Sequence, residues 1–430
     1  MPFVPLNYRL TGAELDALIE RVKPVLLIAG DERADAMRGR DGVQVITRSE
    51  LLADVRAARG EVPEPDWSAE AEDIAILLFT SGTTGAPKAA VLRHKHLVSY
   101  ILGSVEFMGA AETDAALMSV PPYHIAGMAA VLSAVYAGRK IVQLANFTPG
   151  EWLALAEKEG ITNAFVVPTM LGRIVDEMEA RGVAPPSALR ALAYGGGKMP
   201  LPVIERAMRL FPPTTDFTNA YGLTETSSTI AVLGPDDHRV SACSDDPLVK
   251  KRLASVGKPL PSVEVQVRDP EGHALGPGER GEIYVRGEQV AGEYVGRGSQ
   301  LIDGGWFPTR DGGYLDDDGF LFLEGRTDDV IVRGGENMSP GEIEDVLLEH
   351  PAVSDVAVVG VPDVEWGEAV AAAIVLKEGK SASASELQDW VKKHLRSSRV
   401  PQLLRFASEL PYNETGKLLR RRVRELLKDA

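Results

Sequence analysis

Between residues 116 and 221, five short apolar runs (116–120, 140–144, 163–168, 189–194 and 216–221) alternate with segments whose apolar residues recur at helical spacing. An earlier run, 25–29, has the same character, and the segments 152–160, 170–182 and 202–211 end near Gly or Pro, as helices do. Repeated strand–helix units of this length close up as a mainly parallel sheet flanked by helices, so an α/β fold is expected. In such a sheet ligands collect at the carboxyl ends of the strands. A chain of 430 residues also exceeds what one hydrophobic core serves, which predicts two or more domains.

Beyond residue 234 the pattern changes. Residues 235–255 read as a polar, charged stretch, and the short runs 263–267, 281–285 and 319–323 are separated by Gly, Pro and Asp turns, which predicts a small β-rich subdomain over about 250–325. A boundary near Arg326 divides a large domain, 1–326, from a C-terminal domain, 327–430. Ser339-Pro340-Gly341-Glu342 offers a cap hydroxyl, a proline at the first helical position and a nearby acid, so a helix is expected over 340–349. Two apolar runs, 353–361 and 369–376, then precede a second capped helix opened by Ser383 and Glu386, giving a small α+β unit.

Composition narrows the functional classes. With 44% apolar and 25% charged residues the chain reads as soluble and globular. Its longest apolar region, 115–138, is broken by Pro121, Pro122 and His124, so no membrane span is expected. The first residues lack a basic segment followed by an apolar core, and the single Cys243 excludes an intramolecular disulfide or a Cys-rich metal site; a cytoplasmic location is expected. A formal charge of −16 argues against a nucleic-acid partner while leaving room for a local basic patch, for which Arg420, Arg421 and Arg422 are candidates.

The apolar run 74–79 leads directly into Thr80-Ser81-Gly82-Thr83-Thr84-Gly85-Ala86-Pro87-Lys88, where four hydroxyls, two glycines and a lysine share nine residues. Glycine lets backbone N–H groups approach an anion, hydroxyls donate to phosphoryl oxygens, and Lys88 adds a point charge. With a helix expected over 94–108, the order strand, Gly-rich loop, helix is an anion-binding context. The spacing is not that of a Walker loop, and the cluster alone also fits a polar surface turn.

Further along, Asn219-Ala220-Tyr221-Gly222-Leu223-Thr224-Glu225 lies past a predicted strand end. There Tyr221 could stack on a purine, Thr224 could bond a phosphate and Glu225 could hold Mg²⁺; a buried tyrosine and a first-turn glutamate fit the same residues. Gly195-Gly196-Gly197, after the run 189–194, reads either as a backbone open to close approach or as a flexible turn.

Taken in order, TSGTTGAPK, PPYHIAG, YGGGKMP, NAYGLTE, TRDGGYLDDDGFLFLEGRTDD, RGGENMSPGEIE and NETGKLLRR resemble the superfamily of acyl-CoA synthetases, standalone adenylation domains and firefly-type luciferases, from about residue 3 to the C-terminus. The resemblance implies that a carboxylic acid is joined to the α-phosphate of ATP with Mg²⁺, releasing pyrophosphate, and that the acyl-adenylate is passed to the thiol of coenzyme A. It implies that Thr80, Ser81, Gly82, Thr83, Thr84 and Lys88 grip the β- and γ-phosphates, that Thr224 touches the α-phosphate and that Glu225 coordinates Mg²⁺. Asn219, Tyr221, Gly222 and the Gly195, Gly196, Gly197 turn would enclose the adenine, Asp311 would bind the ribose with help from Arg326, and His124 would line the acyl site. Lys417 is similar to the lysine that bridges ATP and the carboxylate, Asp328 to the hinge, and Gly334 and Gly335 to the border of a pantetheine tunnel. Outside the resemblance, His124 reads as structural, Lys417 as part of a solvated basic face and Asp328 as a turn.

The chain departs from the family pattern in two places. Thr309-Arg310-Asp311 stands where members usually have Thr-Gly-Asp, putting a guanidinium beside the ribose acid. Met1 falls where the family is already inside its first subdomain, so apolar surface and a sheet edge are expected beside 25–29; a partner completing that subdomain, or a homodimer, stays open. In the family the chain resembles, domains that adenylate α-amino acids place an aspartate near the start of the PPYHIAG-like region to pair the ammonium; no acid lies between Pro121 and Met128 here, so the resemblance disfavours amino-acid substrates. Gly195–Gly197, Ala220, Ser227 and Ser228 leave room for a fatty or aryl acid. A weakly active nucleotide-binding protein, and an acyl-AMP ligase serving a carrier protein, are the alternative readings.

Overall fold

Two of the helix starts in the first ninety residues are written in the sequence: Thr11 and Thr47 each accept from the backbone of a glutamate three residues on, and Glu14 and Glu50 bond back, closing a capping box on the helices Gly12–Glu20 and Arg48–Ala57. The computed structural model describes residues 1–58, 69–80, 87–334, 336–413, 416 and 418–428. Packing divides the chain into two compact units, Met1–His94 and Lys95–Ala430.

The first unit pairs Val25–Ala29 in parallel with Val43–Thr47. Leu26 and Ile28 on this two-stranded sheet are exposed. Ile74–Thr80 pairs antiparallel with Lys88–Arg93. The strand Lys88–Arg93 corrects one expectation. The Gly-rich loop joins two antiparallel strands, and the helix His94–Ser104 begins only after the second, so no helix N-terminus directly follows the loop. Val91 and Leu92 are buried, and that burial holds the short run KAAVLR as a strand.

The second unit is built on a seven-stranded sheet ordered Lys258–Pro259, Ser228–Leu233, Asp216–Leu223, Ala191–Gly195, Asn163–Val166, Ala115–Met118, Lys140–Gln143. The last five are mutually parallel; Ser228–Leu233 runs antiparallel to them, and Lys258–Pro259 pairs antiparallel with Ser228–Leu233. Chain order reverses between Ala115–Met118 and Asn163–Val166. The crevice beyond their carboxyl ends is therefore where a ligand is expected. The core of this layer centres on Trp152, Leu171, Ile174, Leu192 and Ile204, all fully buried, and the Trp152 indole N–H donates to Ser119 Oγ at 2.9 Å. The stretch 235–255 contains the helices Pro235–Cys243 and Pro247–Lys251, each opened by a proline in its first turn. Polar composition conceals them because they lie on the surface.

A four-stranded antiparallel sheet, Val263–Arg268, Gly281–Gly287, Phe307–Leu315 and Leu321–Arg326, forms the β-rich part. The C-terminal sheet joins Val353–Asp363, Gly367–Leu376 and Leu403–Phe406, flanked by Pro340–Leu348, Ala384–His394 and Arg420–Lys428. Alternate residues serve two cores: Val356, Val358, Val370 and Ala372 face one, Ala357, Val359, Ala371 and Ala373 the other. Coverage on both faces explains why these strands read as unbroken apolar runs. At Pro340–Leu348 the Ser339 side chain does not cap the helix as expected. Its hydroxyl donates instead to Glu324 O at 2.5 Å, tying the helix start to the β-rich sheet.

Candidate active site

At or just past the carboxyl ends of the parallel strands lie His124, Gly195, Gly196, Gly197, Asn219, Tyr221, Gly222, Thr224 and Glu225. Gly195 ends its strand under the strand Asp216–Leu223, where any Cβ would collide with Ala220 O; Gly196 follows at φ 82°, in the left-handed region that glycine adopts freely. A Cβ on Gly196 would lie 3.7 Å from Val167, and one on Gly197 3.8 Å from Pro168. The next residue, Thr169, is where a Cβ on Gly416 would collide. The consecutive residues Val167, Pro168 and Thr169, just past the strand Asn163–Val166, thus form a ledge under both the glycine turn and the C-terminal loop that leads to Lys417. Lys417 itself lies outside the described residues, as do Ser81, Gly82, Thr83, Thr84 and Gly335.

Across the switch point, His124 immediately precedes the helix Ile125–Ala137, with its ring 4.5 Å from that of Tyr123. Gly127 allows this helix to sit on the Val120 and Pro121 carbonyls, which a side chain would strike. In the first unit, Thr80 and Lys88 are the last antiparallel pair before the Gly-rich loop, and Thr80 Oγ1 donates to Lys88 O at 3.4 Å.

Tyr221, Asp311 and Arg326 form one cluster. The buried Tyr221 hydroxyl donates to Asp311 Oδ2 at 2.7 Å, and Arg326 Nη1 lies 3.2 Å from Asp311 Oδ1 and 3.1 Å from Thr309 O. Burial, with the Asp311 charge second, holds the phenol well above its usual range, so it stays a donor. Arg326 Nε is buried with no partner among the described residues, a donor left over for a bound polar group. Asp328 follows in the turn Thr327–Asp329. Asn219 is buried, and its amide donates to Ser255 O at 2.9 Å.

Thr224 and Glu225 occupy the 3₁₀ turn Thr224–Thr226, and the Tyr294 hydroxyl donates to Glu225 Oε1. The next two residues are strained: Ser227 has φ 55° and Ser228 φ 104°, conformations that cost about 1–3 kcal/mol each for a side-chain-bearing residue. Gly222 lies so close to Ser228 O that no Cβ fits. Among the described residues no group of three or more His, Cys, Asp or Glu could hold a metal ion. A single carboxylate such as Glu225 still suits Mg²⁺, which keeps waters and phosphate oxygens as its other ligands.

The C-terminal lobe meets this region through one ion pair absent from the sequence reading. Lys198, one residue past the glycine turn, pairs with Asp345 at 2.6 Å. Arg420, a candidate for an exposed basic patch, is instead half-buried and paired with Glu344 at 2.6 Å and Asp329 at 3.4 Å. Gly334, at φ 59°, packs against the Trp366 ring and donates its N–H to Trp366 O at 2.8 Å. Arg310 takes φ 62°, which accounts for glycine being usual at this position in the family the sequence resembles; its guanidinium lies 3.9 Å from Glu282. Tyr294, Lys198 and Glu344 carry no local sequence signal, because their partners lie 69, 147 and 76 residues away.

The AMP-binding enzyme family matches residues 1–295, and the AMP-binding enzyme C-terminal domain matches residues 342–417. The chain belongs to this family. It is 34% identical over 428 residues to a 2-succinylbenzoate–CoA ligase of Geobacillus sp. (strain WCH70), covering 98% of this chain and 82% of that protein. It is 33% identical over 431 residues to a feruloyl-CoA synthase of Amycolatopsis sp., covering 98% and 83%. Its fold is similar to that of o-succinylbenzoate CoA synthetase from Bacillus subtilis in complex with the acyl-adenylate intermediate OSB-AMP, at TM-score 0.81 and 31% identity over 98% of this chain and 82% of that one. The same enzyme in complex with ATP and magnesium ion gives TM-score 0.80 and 31% identity over 99% and 84%. Among the described residues no helix is long and apolar enough to cross a membrane.

Proposed function

We propose that the protein is an ATP-dependent carboxylic acid:CoA ligase that forms an acyl-adenylate and pyrophosphate, then an acyl-CoA thioester and AMP, with an aryl acid as substrate. The observation that carries the reading is the shared ledge: Val167–Thr169 supports both the Gly196–Gly197 turn and Gly416, the residue before Lys417. A carboxylate attacking a phosphate brings two anions together, and a cation at the contact point lowers that barrier most. Lys417 supplies it, with Lys88 on the β- and γ-phosphates.

Asp311 accepts from the ribose hydroxyls, held by Tyr221 and Arg326, while Gly195–Gly197 flank the base. Glu225 would hold Mg²⁺, which would supply positive charge to the phosphates. Residues 327–430 form the mobile domain, and rotation about Asp328 withdraws Lys417 and brings Gly334 and Gly335 to the acyl site, so that one cleft serves both half-reactions. Succinylbenzoate and ferulate, named for two relatives, are aryl acids and favour that class over fatty acids.

Pyrophosphate release measured across aryl, fatty and amino acids, with and without CoA, tests the reading. Aryl acids are expected to drive release and CoA to appear in the thioester product, and Lys417→Ala is expected to abolish nearly all of it. Equal release by wild type and Lys417→Ala would overturn the assignment of that lysine.

A further inference from the structure

The turn Thr224–Thr226 is closed locally by Thr226, whose Oγ1 accepts from Leu223 N at 2.9 Å and donates to Ser228 O at 2.8 Å, and it runs into the strained residues Ser227 and Ser228 at φ 55° and 104°. A strap 60 to 69 residues further along the chain, residues 289–294, fastens it. Gln289, fully buried, donates through Nε2 to Thr226 O at 3.1 Å and Thr229 O at 2.7 Å. The backbone N–H groups of Ala291 and Gly292 both donate to Glu225 O at 2.9 Å. At the end of the strap, the Tyr294 hydroxyl donates to Glu225 Oε1. Four of these bonds fix the backbone around Glu225, and the fifth fixes its carboxylate. Glu225 Oε2 has no hydrogen-bond partner among the described residues.

From this geometry we propose that Tyr294 is a positioning residue for the metal: its hydroxyl locks the Glu225 carboxylate by one oxygen and presents the other to the divalent cation. The inference rests on the proposed role of Glu225 and extends it to a residue 69 positions away. A hydroxyl donor to one oxygen removes the carboxylate's rotational freedom and leaves its charge intact, which is how groups behind a metal ligand raise affinity. Loss of such a partner lowers metal affinity by roughly tenfold or more.

The test is Tyr294→Phe, which removes one oxygen and keeps the ring. Mn²⁺ binding, read by electron paramagnetic resonance in the presence of a non-hydrolysable ATP analogue, is expected to weaken about tenfold. Metal-free binding of the analogue and the unfolding midpoint are expected to stay at wild-type values, a pattern that a merely structural role would not produce. The Mg²⁺ concentration for half-maximal pyrophosphate release should rise in parallel. Glu225→Gln is the reference. Wild-type Mn²⁺ affinity in Tyr294→Phe together with weakened binding in Glu225→Gln would overturn the role of Tyr294. Wild-type affinity in both would overturn the metal role of Glu225 and this inference with it.

Discussion

The Tyr221 hydroxyl donates to Asp311 Oδ2 at 2.7 Å, joining two strands 90 residues apart. Asp311 is largely buried, and its other oxygen is claimed by Arg326, so the tyrosine sets which way the carboxylate faces. Tyr221→Phe removes one hydrogen bond to a largely buried carboxylate, a cost of about 1–3 kcal/mol. We expect KM for ATP to rise roughly fivefold to tenfold with kcat nearly unchanged, and Asp311→Ala to raise KM further, as steady-state kinetics would register. An unaltered KM in both variants would remove this cluster from nucleotide binding.

Lys198 and Asp345 link the segment after the glycine turn to the C-terminal lobe at 2.6 Å. Both side chains are partly exposed, at 35% and 55%, so the pair contributes no more than about 1 kcal/mol. Asp345→Asn is therefore expected to slow adenylation by no more than about fivefold, with wild-type rates falling toward those of the variant in high salt. Rapid-quench measurement of the two half-reactions would show adenylation affected and thioester formation spared. Equal slowing of both would mean that the pair does not favour one lobe arrangement.

Arg310 occupies a left-handed backbone conformation, φ 62°, with only a distant ion pair to Glu282 at 3.9 Å. Releasing the strain outweighs losing an exposed pair, so Arg310→Gly should leave the protein as stable or more stable, by up to about 1 kcal/mol. Arg310→Val, β-branched at positive φ, should be destabilised by about 1–2 kcal/mol. Urea unfolding would rank the three proteins, and a loss of stability in Arg310→Gly would contradict the strain argument.

The parallel layer was legible because its strands and helices each carry a period that burial on one or both faces enforces. The strand Ala191–Gly195 and the helix Pro168–Arg181 fall within two residues of where the apolar pattern put them. Lys88–Arg93 was not legible, being a six-residue run that abuts a helix with no turn residue between. The helices Pro235–Cys243 and Pro247–Lys251 were hidden by their polar surface. Within the site, glycines, Tyr221, Glu225 and Asp311 sit in motifs dense enough to recognise. The residues that hold them, Gln289, Tyr294 and Lys198, act through contacts that only the folded chain creates.

Two buried groups predict opposite pH dependences. His238, almost fully buried, accepts the Tyr194 hydroxyl at Nε2 at 2.8 Å and donates from Nδ1 to Gly234 O, and burial lowers its pKa to about 4. The unfolded histidine protonates first, so stability that is complete above pH 6.5 is lost as pH falls toward 4, by about 3 kcal/mol. Asp355 goes the other way. Burial raises its pKa to about 6 despite the Tyr412 hydroxyl 3.0 Å from each oxygen, with the Glu344 charge adding to the rise. The folded state then holds the proton longer, and stability is lost as pH rises from about 4 to 6, on the order of 3 kcal/mol. The two slopes oppose each other over the same window and partly cancel in the wild type. Single variants should expose them. The advantage of Asp355→Asn over wild type should grow from pH 4 to 6 and then level off, whereas the deficit of His238→Gln should shrink as pH falls from 6.5 to 4. Unfolding midpoints measured from pH 4 to 8 would decide, and a pH-independent difference for either variant would mean that its group does not titrate in this window.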